Sequence, residues 1–353
     1  MVTVTVDELT TTVQSLVEAV GTPPDNARVV TRLIVGSHLA GHDSHGVQHL
    51  PRYLEEAQNG LIMPAAQPEV VSDSPSAALV RGNWGWGHVT ADYVMRLAVE
   101  KASTSGIAMV SAVECNHIGR LGEYVEEAAA NGCIGILTSG GNAEELATAA
   151  PFGGAKAVLA PNPIAIAFPA DADHPVLVDF ATTIVAGGKL ALAKAKGTKV
   201  PLGWIIDKEG KPTADPNDYY DGGALLPFGE HKGFGIMVAA EILGRILSGA
   251  DDHSNTEHGG TYFKHCGITF LAIRANLFDA SFAARTSELA RRVRAIPPQP
   301  QVEAVMMPGD YEYKARVERV RNGRIAIPES TWEEVVSAAH HLGREVTASS
   351  SPR

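Results

Sequence analysis

The chain has 353 residues, 45% hydrophobic and 20% charged, long enough to bury a full core and to make two sub-domains. A formal net charge of −11 without a run of like charge argues against nucleic acid as a partner. Three cysteines form neither a disulfide framework nor a CxxC metal pair, and no apolar stretch reaches ~18 residues, so a cytoplasmic protein without a leader or membrane span is expected.

Residues 7–20 read as an amphipathic helix capped by Asp7, with Leu9, Val13, Leu16, Val17 and Val20 on one face and Gly21 as its stop. A second helix after Pro23-Pro24-Asp25 turns Val29, Val30, Leu33, Ile34 and Ser37 inward and delivers His42–His45 at its end. Strand-like runs follow at Ala77–Val80, Ile107–Val113, Cys133–Thr138, Ile164–Phe168, Val176–Phe180, Trp204–Ile206 and Ile268–Ile273. Helical patterns lie between them at about 88–104, 120–130 and 232–248. Turns at Asp171–His174 and Asp207–Lys211 make part of the sheet antiparallel. Ser330-Thr331-Trp332-Glu333 reads as a capping box for a last helix carrying Trp332, Val335, Val336, Ala339 and Leu342 on one face. The helical ends suggest one discontinuous unit, and Thr347–Arg353 is expected to be disordered. The fold class is α/β (α+β), a mixed sheet with helices on its faces.

Gly85-Trp86-Gly87 resembles the start of a dinucleotide fingerprint. Thr90 stands in place of the third glycine, and Trp84 and Trp86 crowd the backbone that would have to meet a pyrophosphate; a tight turn with packed aromatics is expected instead.

Three polar clusters stand out: Gly41–Val47 with Arg52 and Tyr53, Asn116–Arg120, and Glu230–Gly233. Ser44 and His45 could face one pocket in a turn, but no GxSxG elbow exists. His42, Asp43, His45 and His49 offer metal ligands without HExxH spacing, which leaves a metal-dependent hydrolase open as an alternative; a capped helix end with satisfied histidines is the bland one. Arg52 offers a fork for a carboxylate. Asp179 is placed either to orient a histidine or to cap a helix, and Asn162 lies in a turn-rich loop near Pro151–Gly154. A cation at the glycine-rich start of a helix, Lys232 after His231, opposes the macrodipole and suits an anionic cofactor. The residues alone thus indicate an enzyme with imidazole acid/base groups and an anion site.

The ordered segments GHDSHGV with PRY (41–53), NHIGRLGEY (116–124), PFGG (151–154), PNPIAIAFP (161–169), VDFATTIVAGGK (178–189), GWIIDKEGKPTADP (203–216) and LLPFGEHKGFGIMVAAEILGRILSGA (225–250) resemble the malate/L-lactate dehydrogenase family, the sulfolactate dehydrogenase-like group. The resemblance implies NAD- or NADP-dependent interconversion of a 2-oxo acid and a 2-hydroxy acid, or reduction of a cyclic imine of the piperideine-2-carboxylate type. The fold it implies is non-Rossmann, in a homodimer: a helical domain of 1–75, about 232–260 and 325–346, and an α/β nucleotide domain of 76–231 and about 261–324. It makes His45 the acid/base assisted by Ser44, with His117 competing for that role and Asp179 holding the imidazole or contacting nicotinamide. Substrate would lie at His49, Arg52 and Tyr53. Cofactor contacts would come from His45, His117, Ile118, Gly119, Asn162, Val178, Asp179, Phe180, Ala181, Thr182, His231, Lys232, Gly309, Asp310 and Tyr311. Many relatives carry arginine where this chain has His49, and the pattern it most resembles has asparagine at His265.

Overall fold

The computed structural model describes residues 1–141, 147–171, 174–254, 257–259, 263 and 265–346. The tail Thr347–Arg353 and residues 172 and 173 of the expected turn lie outside them.

A seven-stranded mixed sheet carries the centre of the molecule. From one edge it runs through β2 (Glu69–Asp73), β3 (Ala77–Arg81), β4 (Ile107–Val113), β11 (Gly267–Arg274), β5 (Cys133–Gly140), β6 (Ile164–Phe168) and β7 (Val176–Phe180). Only β3 and β4 are parallel, and they are joined by the crossover helix that a parallel pair requires, α4 (Gly87–Ser105). That helix buries Ala91, Val94, Met95, Ala98 and Ala102 against the sheet and ends on Gly106 at φ +82°. At its start the Gly87 α-carbon sits where a side chain would lie 2.1 Å from the Asn116 carbonyl oxygen. Gly85–Gly87 is therefore a close-packing turn. α5 (Gly122–Ala130) covers β5 and β6.

A second core joins the chain ends. β1 (Val2–Thr5) pairs antiparallel with β12 (Arg324–Ile327). Around the pair, α1 (Val6–Ala19), α2 (Pro24–Leu39), α3 (Leu50–Gln58) and α11 (Glu329–His341) share Leu9, Val13, Leu16, Ile34, Leu54, Trp332, Val335 and Ala339. Two caps differ from expectation. Thr5, not Asp7, caps α1, in a reciprocal box with Glu8, because β1 occupies the residues before it. Ser330 lies inside α11, whose first turn follows Pro328.

α8 (His231–Glu241) and the wider helical turn Ile242–Ile246 pack on the central sheet, with Gly244 against Gly140 and Gly267. Grouping about 232–260 with the chain ends is corrected accordingly. A small sheet of β10 (Ala224–Leu225), β8 (Ile205–Ile206) and β9 (Pro212–Thr213) stands beside it. Its hairpin is closed by the Asp207 carboxylate, which accepts from the Glu209 and Lys211 amides.

Candidate active site

The polar segment after α2 folds as two short 3-10 turns, Asp43–His45 and Val47–His49, before Leu50-Pro51 opens α3. Gly46 permits this tightness, since a side chain there would lie 2.6 Å from the His38 ring. The segment is fastened from outside by α10 (Asp310–Asn322). Glu312 bonds the His42 ring at 3.0 Å, Arg319 bonds the Asp43 carboxylate at 2.8 Å and the His38 carbonyl, and the Tyr311 ring lies beside Gly41. His42 and Asp43 thus face the fastening helix. The four residues do not converge on one point, and no metal-holding group of His, Cys, Asp or Glu occurs among the described residues.

His45 and His49 point instead into a cluster of rings. The His45 and His117 rings stack at 6.1 Å between centroids with 22° between planes, and His49 meets them edge-on at 6.3 and 5.6 Å. Tyr53 lies 5.9 Å from His117 and 5.4 Å from His88, and Phe263 covers His117 at 5.5 Å. Segments distant in sequence therefore bring His45, His49, Tyr53 and His117 together. Two contacts fix nitrogens: the Ser44 hydroxyl stands 3.2 Å from His45 Nδ1, and the Tyr53 hydroxyl 2.5 Å from His117 Nδ1.

Burial dominates the electrostatics. It pushes His45 down to about 4, helped by the charges of His49, His42 and Arg120. It takes His49 to about 4, with Arg52 adding, and His88 to about 3. His117 is held well below the ordinary range by burial and its imidazole neighbours, and burial raises the Tyr53 phenol. All four imidazoles are neutral at pH 7. Because Tyr53 keeps its proton, it donates to His117 Nδ1, and the His117 hydrogen sits on Nε2.

Arg52 reaches the same wall. Its Nε donates to Glu56 at 2.8 Å, its guanidinium carbon lies 5.8 Å from the Phe263 ring centroid, and its Nη2 is buried without a protein partner.

Among the described residues, no histidine is hydrogen-bonded to Asp179. Its carboxylate accepts from the Gly122 amide at 2.9 Å and lies 3.2 Å from Arg120 Nε. Arg120, only 3% exposed, also donates to Glu123 at 2.7 Å and Glu126 at 3.4 Å, and Arg316 of α10 meets both glutamates. Burial works against the Arg120 cation, and Asp179, Glu123 and Glu126 outweigh it. Arg120→Met should therefore lower stability by about 3–5 kcal/mol, since it leaves buried carboxylates uncompensated. Urea unfolding at pH 7 measures this; an unchanged midpoint would show that the cation contributes nothing net.

The remaining expected cofactor contacts are scattered. Ile118 is buried and Gly119 takes φ +71° against the His88 ring. Asn162 is fully buried with φ +37°; its amide donates to the Met237 carbonyl and its Oδ1 has no partner. Thr182 is buried and donates to the Pro161 carbonyl, while Val178 and Ala181 are half-buried and the exposed Phe180 ring rests on Phe228. His231 and Lys232 are exposed at the start of α8, after Glu230 at φ +57°, and the Phe152 ring meets His231. Gly309 packs on Leu177. Asp310 accepts from Arg294 and the Met307 amide and lies 3.2 Å from His174. Tyr311 serves the 41–45 segment, as above.

The ring cluster thus lies between the helical end unit and the mixed sheet. The family model for malate/L-lactate dehydrogenase matches residues 4–336, and the chain belongs to that family of 2-hydroxy acid oxidoreductases. It is 33% identical over 336 residues to hydroxycarboxylate dehydrogenase B from Escherichia coli, covering 94% of this chain and 92% of that protein. It is 34% identical over 356 residues to a malate dehydrogenase from Pyrococcus abyssi, covering 96% and 94%. Among solved structures, malate dehydrogenase from Entamoeba histolytica superposes with TM-score 0.89 at 27% identity, over 96% of this chain and 98% of that one. Sulfolactate dehydrogenase from Methanocaldococcus jannaschii gives 0.87 at 30% identity over 98% of each.

Proposed function

We propose that the protein interconverts a 2-oxo acid and a 2-hydroxy acid with NAD or NADP, on a nucleotide domain that is not a Rossmann fold. The observation that carries this reading is the stacked pair His45 and His117, each with one nitrogen already engaged and the other left for substrate. A bound nicotinamide would supply or accept the hydride. In the oxidation direction, neutral His45 takes the hydroxyl proton, with Ser44 holding its Nδ1 side. His117 donates its Nε2 hydrogen to the substrate oxygen, fixed in that tautomer by Tyr53. Arg52 binds the substrate carboxylate through its unfilled Nη2.

The donor set fits a dinucleotide: Asn162 brings a buried, unpartnered carbonyl oxygen, and His231 and Lys232 stand at a helix N-terminus suited to phosphate. One parallel strand pair in the central sheet, where a Rossmann fold has successive βαβ units, supports the non-Rossmann reading. The exposed apolar face of Ile236, Ile242, Leu243, Ile246 and Leu247 supports a homodimer. Three buried free thiols, Cys115, Cys133 and Cys266, suit the reducing cytoplasm. Among the described residues no helix is long and apolar enough to cross a membrane.

NAD(P)H absorbance followed with a panel of 2-oxo acids is expected to show turnover. Absence of turnover with every acid, together with no binding of either nucleotide, removes the reading.

A further inference from the structure

The geometry points to a substrate whose side chain carries no charge: we propose that the pocket prefers 2-oxo and 2-hydroxy monocarboxylates with uncharged side chains over dicarboxylates and sulfonates. This rests on the oxidoreductase reading above and narrows it. A 2-oxo acid brings one carboxylate, which one guanidinium can take. A dicarboxylate or a sulfonate brings a second anion that must leave water, and that is expensive unless a second cation receives it.

Among the described residues, the guanidinium that meets this ring cluster is that of Arg52. The rings around the stacked pair are His49, Tyr53, His88 and Phe263. Among the described residues, none of these rings meets a carboxylate that would hold an imidazole charged: the Tyr53 hydroxyl contacts His117, and both His88 nitrogens lack partners. Burial keeps His49 neutral at pH 7. Arg52 has its Nε on Glu56 and one buried Nη2 unfilled, which matches a single carboxylate. Arg120, the next cation, belongs to a cluster in which Asp179, Glu123 and Glu126 face Arg120 and Arg316. Three carboxylates already surround these two guanidinium groups, so their charge is met within the cluster. What remains for the substrate's far end is ring edges: His49 at 5.6 Å from His117, and Phe263 at 5.5 Å on its other contact.

Two measurements test this. First, kcat/KM is compared for pyruvate and 2-oxobutyrate against oxaloacetate and sulfopyruvate; the uncharged pair is expected to lead by about tenfold or more. Second, oxamate and tartronate are titrated calorimetrically into protein with nucleotide, and oxamate is expected to bind at least about tenfold more tightly. In His49→Arg, which puts a cation on the wall, both ratios should move about tenfold toward the doubly charged compound. Equal or better turnover of oxaloacetate or sulfopyruvate, or equal binding of tartronate, overturns the proposal, as do unchanged ratios in a folded His49→Arg protein. If no oxo acid turns over but oxamate still out-binds tartronate, the reaction assignment fails and the charge preference stands.

Discussion

His45→Asn is expected to lower kcat/KM for hydroxy acid oxidation by about a hundred- to ten-thousand-fold, the range for losing a positioned proton acceptor. The expectation rests on the two fixed nitrogens. Ser44 engages His45 Nδ1 at 3.2 Å, and no described residue takes Nε2, so a neutral ring keeps its lone pair there free. The pH profile carries the sign. His45 is pushed down to about 4 by burial first and neighbouring charges second, so the base form prevails at all pH values well above 4. Oxidation kcat/KM should be flat through neutrality and fall about tenfold per pH unit only below that point. Reduction needs the ring protonated and should instead weaken as pH rises. His117→Asn should cost less, because His117 donates a hydrogen bond without giving up its proton. Tyr53→Phe should share part of that smaller loss by freeing the tautomer. Full turnover in His45→Asn, or abolition only in His117→Asn, would reverse the two roles.

Much of this site was legible in the chain. The segment from His42 to Tyr53 and the run around His117 announce themselves because polar groups that dense are costly without a use. Periodicity found α4, α5 and every long strand of the central sheet except β2, because these elements bury one face. It missed α9 (Phe282–Arg294) and α10, which are rich in arginine and glutamate and bury almost nothing. That omission hid half of the fastening: Glu312, Arg316 and Arg319 act on residues some 190–280 positions away, and no local pattern records such a distance. Arg120 was in view inside its segment. Glu123 and Glu126, three and six residues on, were the signal that its charge would be held by carboxylates. Asp179 was ambiguous in sequence, since a carboxylate after a strand can serve a histidine, a helix start or a cation. Its real partners, Gly122 and Arg120, are set by how α5 lies beside β7. His88 gave no sign, because a histidine in the first turn of a helix is commonplace. The neutral state of the imidazoles was likewise hidden: it comes from burial by neighbours that only the fold assembles.

The same burial predicts an acid-labile fold. In the unfolded chain each histidine takes up its proton near pH 6.5; in the folded protein His45 and His49 do so at about 4 and His88 at about 3. Between those limits the unfolded state binds more protons, so stability must fall as the pH drops from 6.5 toward 4 and is unaffected by these rings above 6.5. His45 alone accounts for about 3 kcal/mol over that window. The rings act on one another's charges, so their losses overlap and do not add. Even so, a few kcal/mol is a large share of the ~5–15 kcal/mol that holds a typical domain folded. Carboxylates do not explain a loss that starts this high. Glu123 and Asp179, raised chiefly by burial, work with the opposite sign, gaining stability on protonation. Urea midpoints at pH 7.5 and pH 5 should therefore differ clearly, with the lower pH weaker. In His88→Leu, which removes a fully buried ring with both nitrogens unpartnered, the difference should shrink. Equal midpoints at the two pH values in the unaltered protein would mean that the rings reach water, and the assignment of neutral, desolvated imidazoles to this pocket would fall with them.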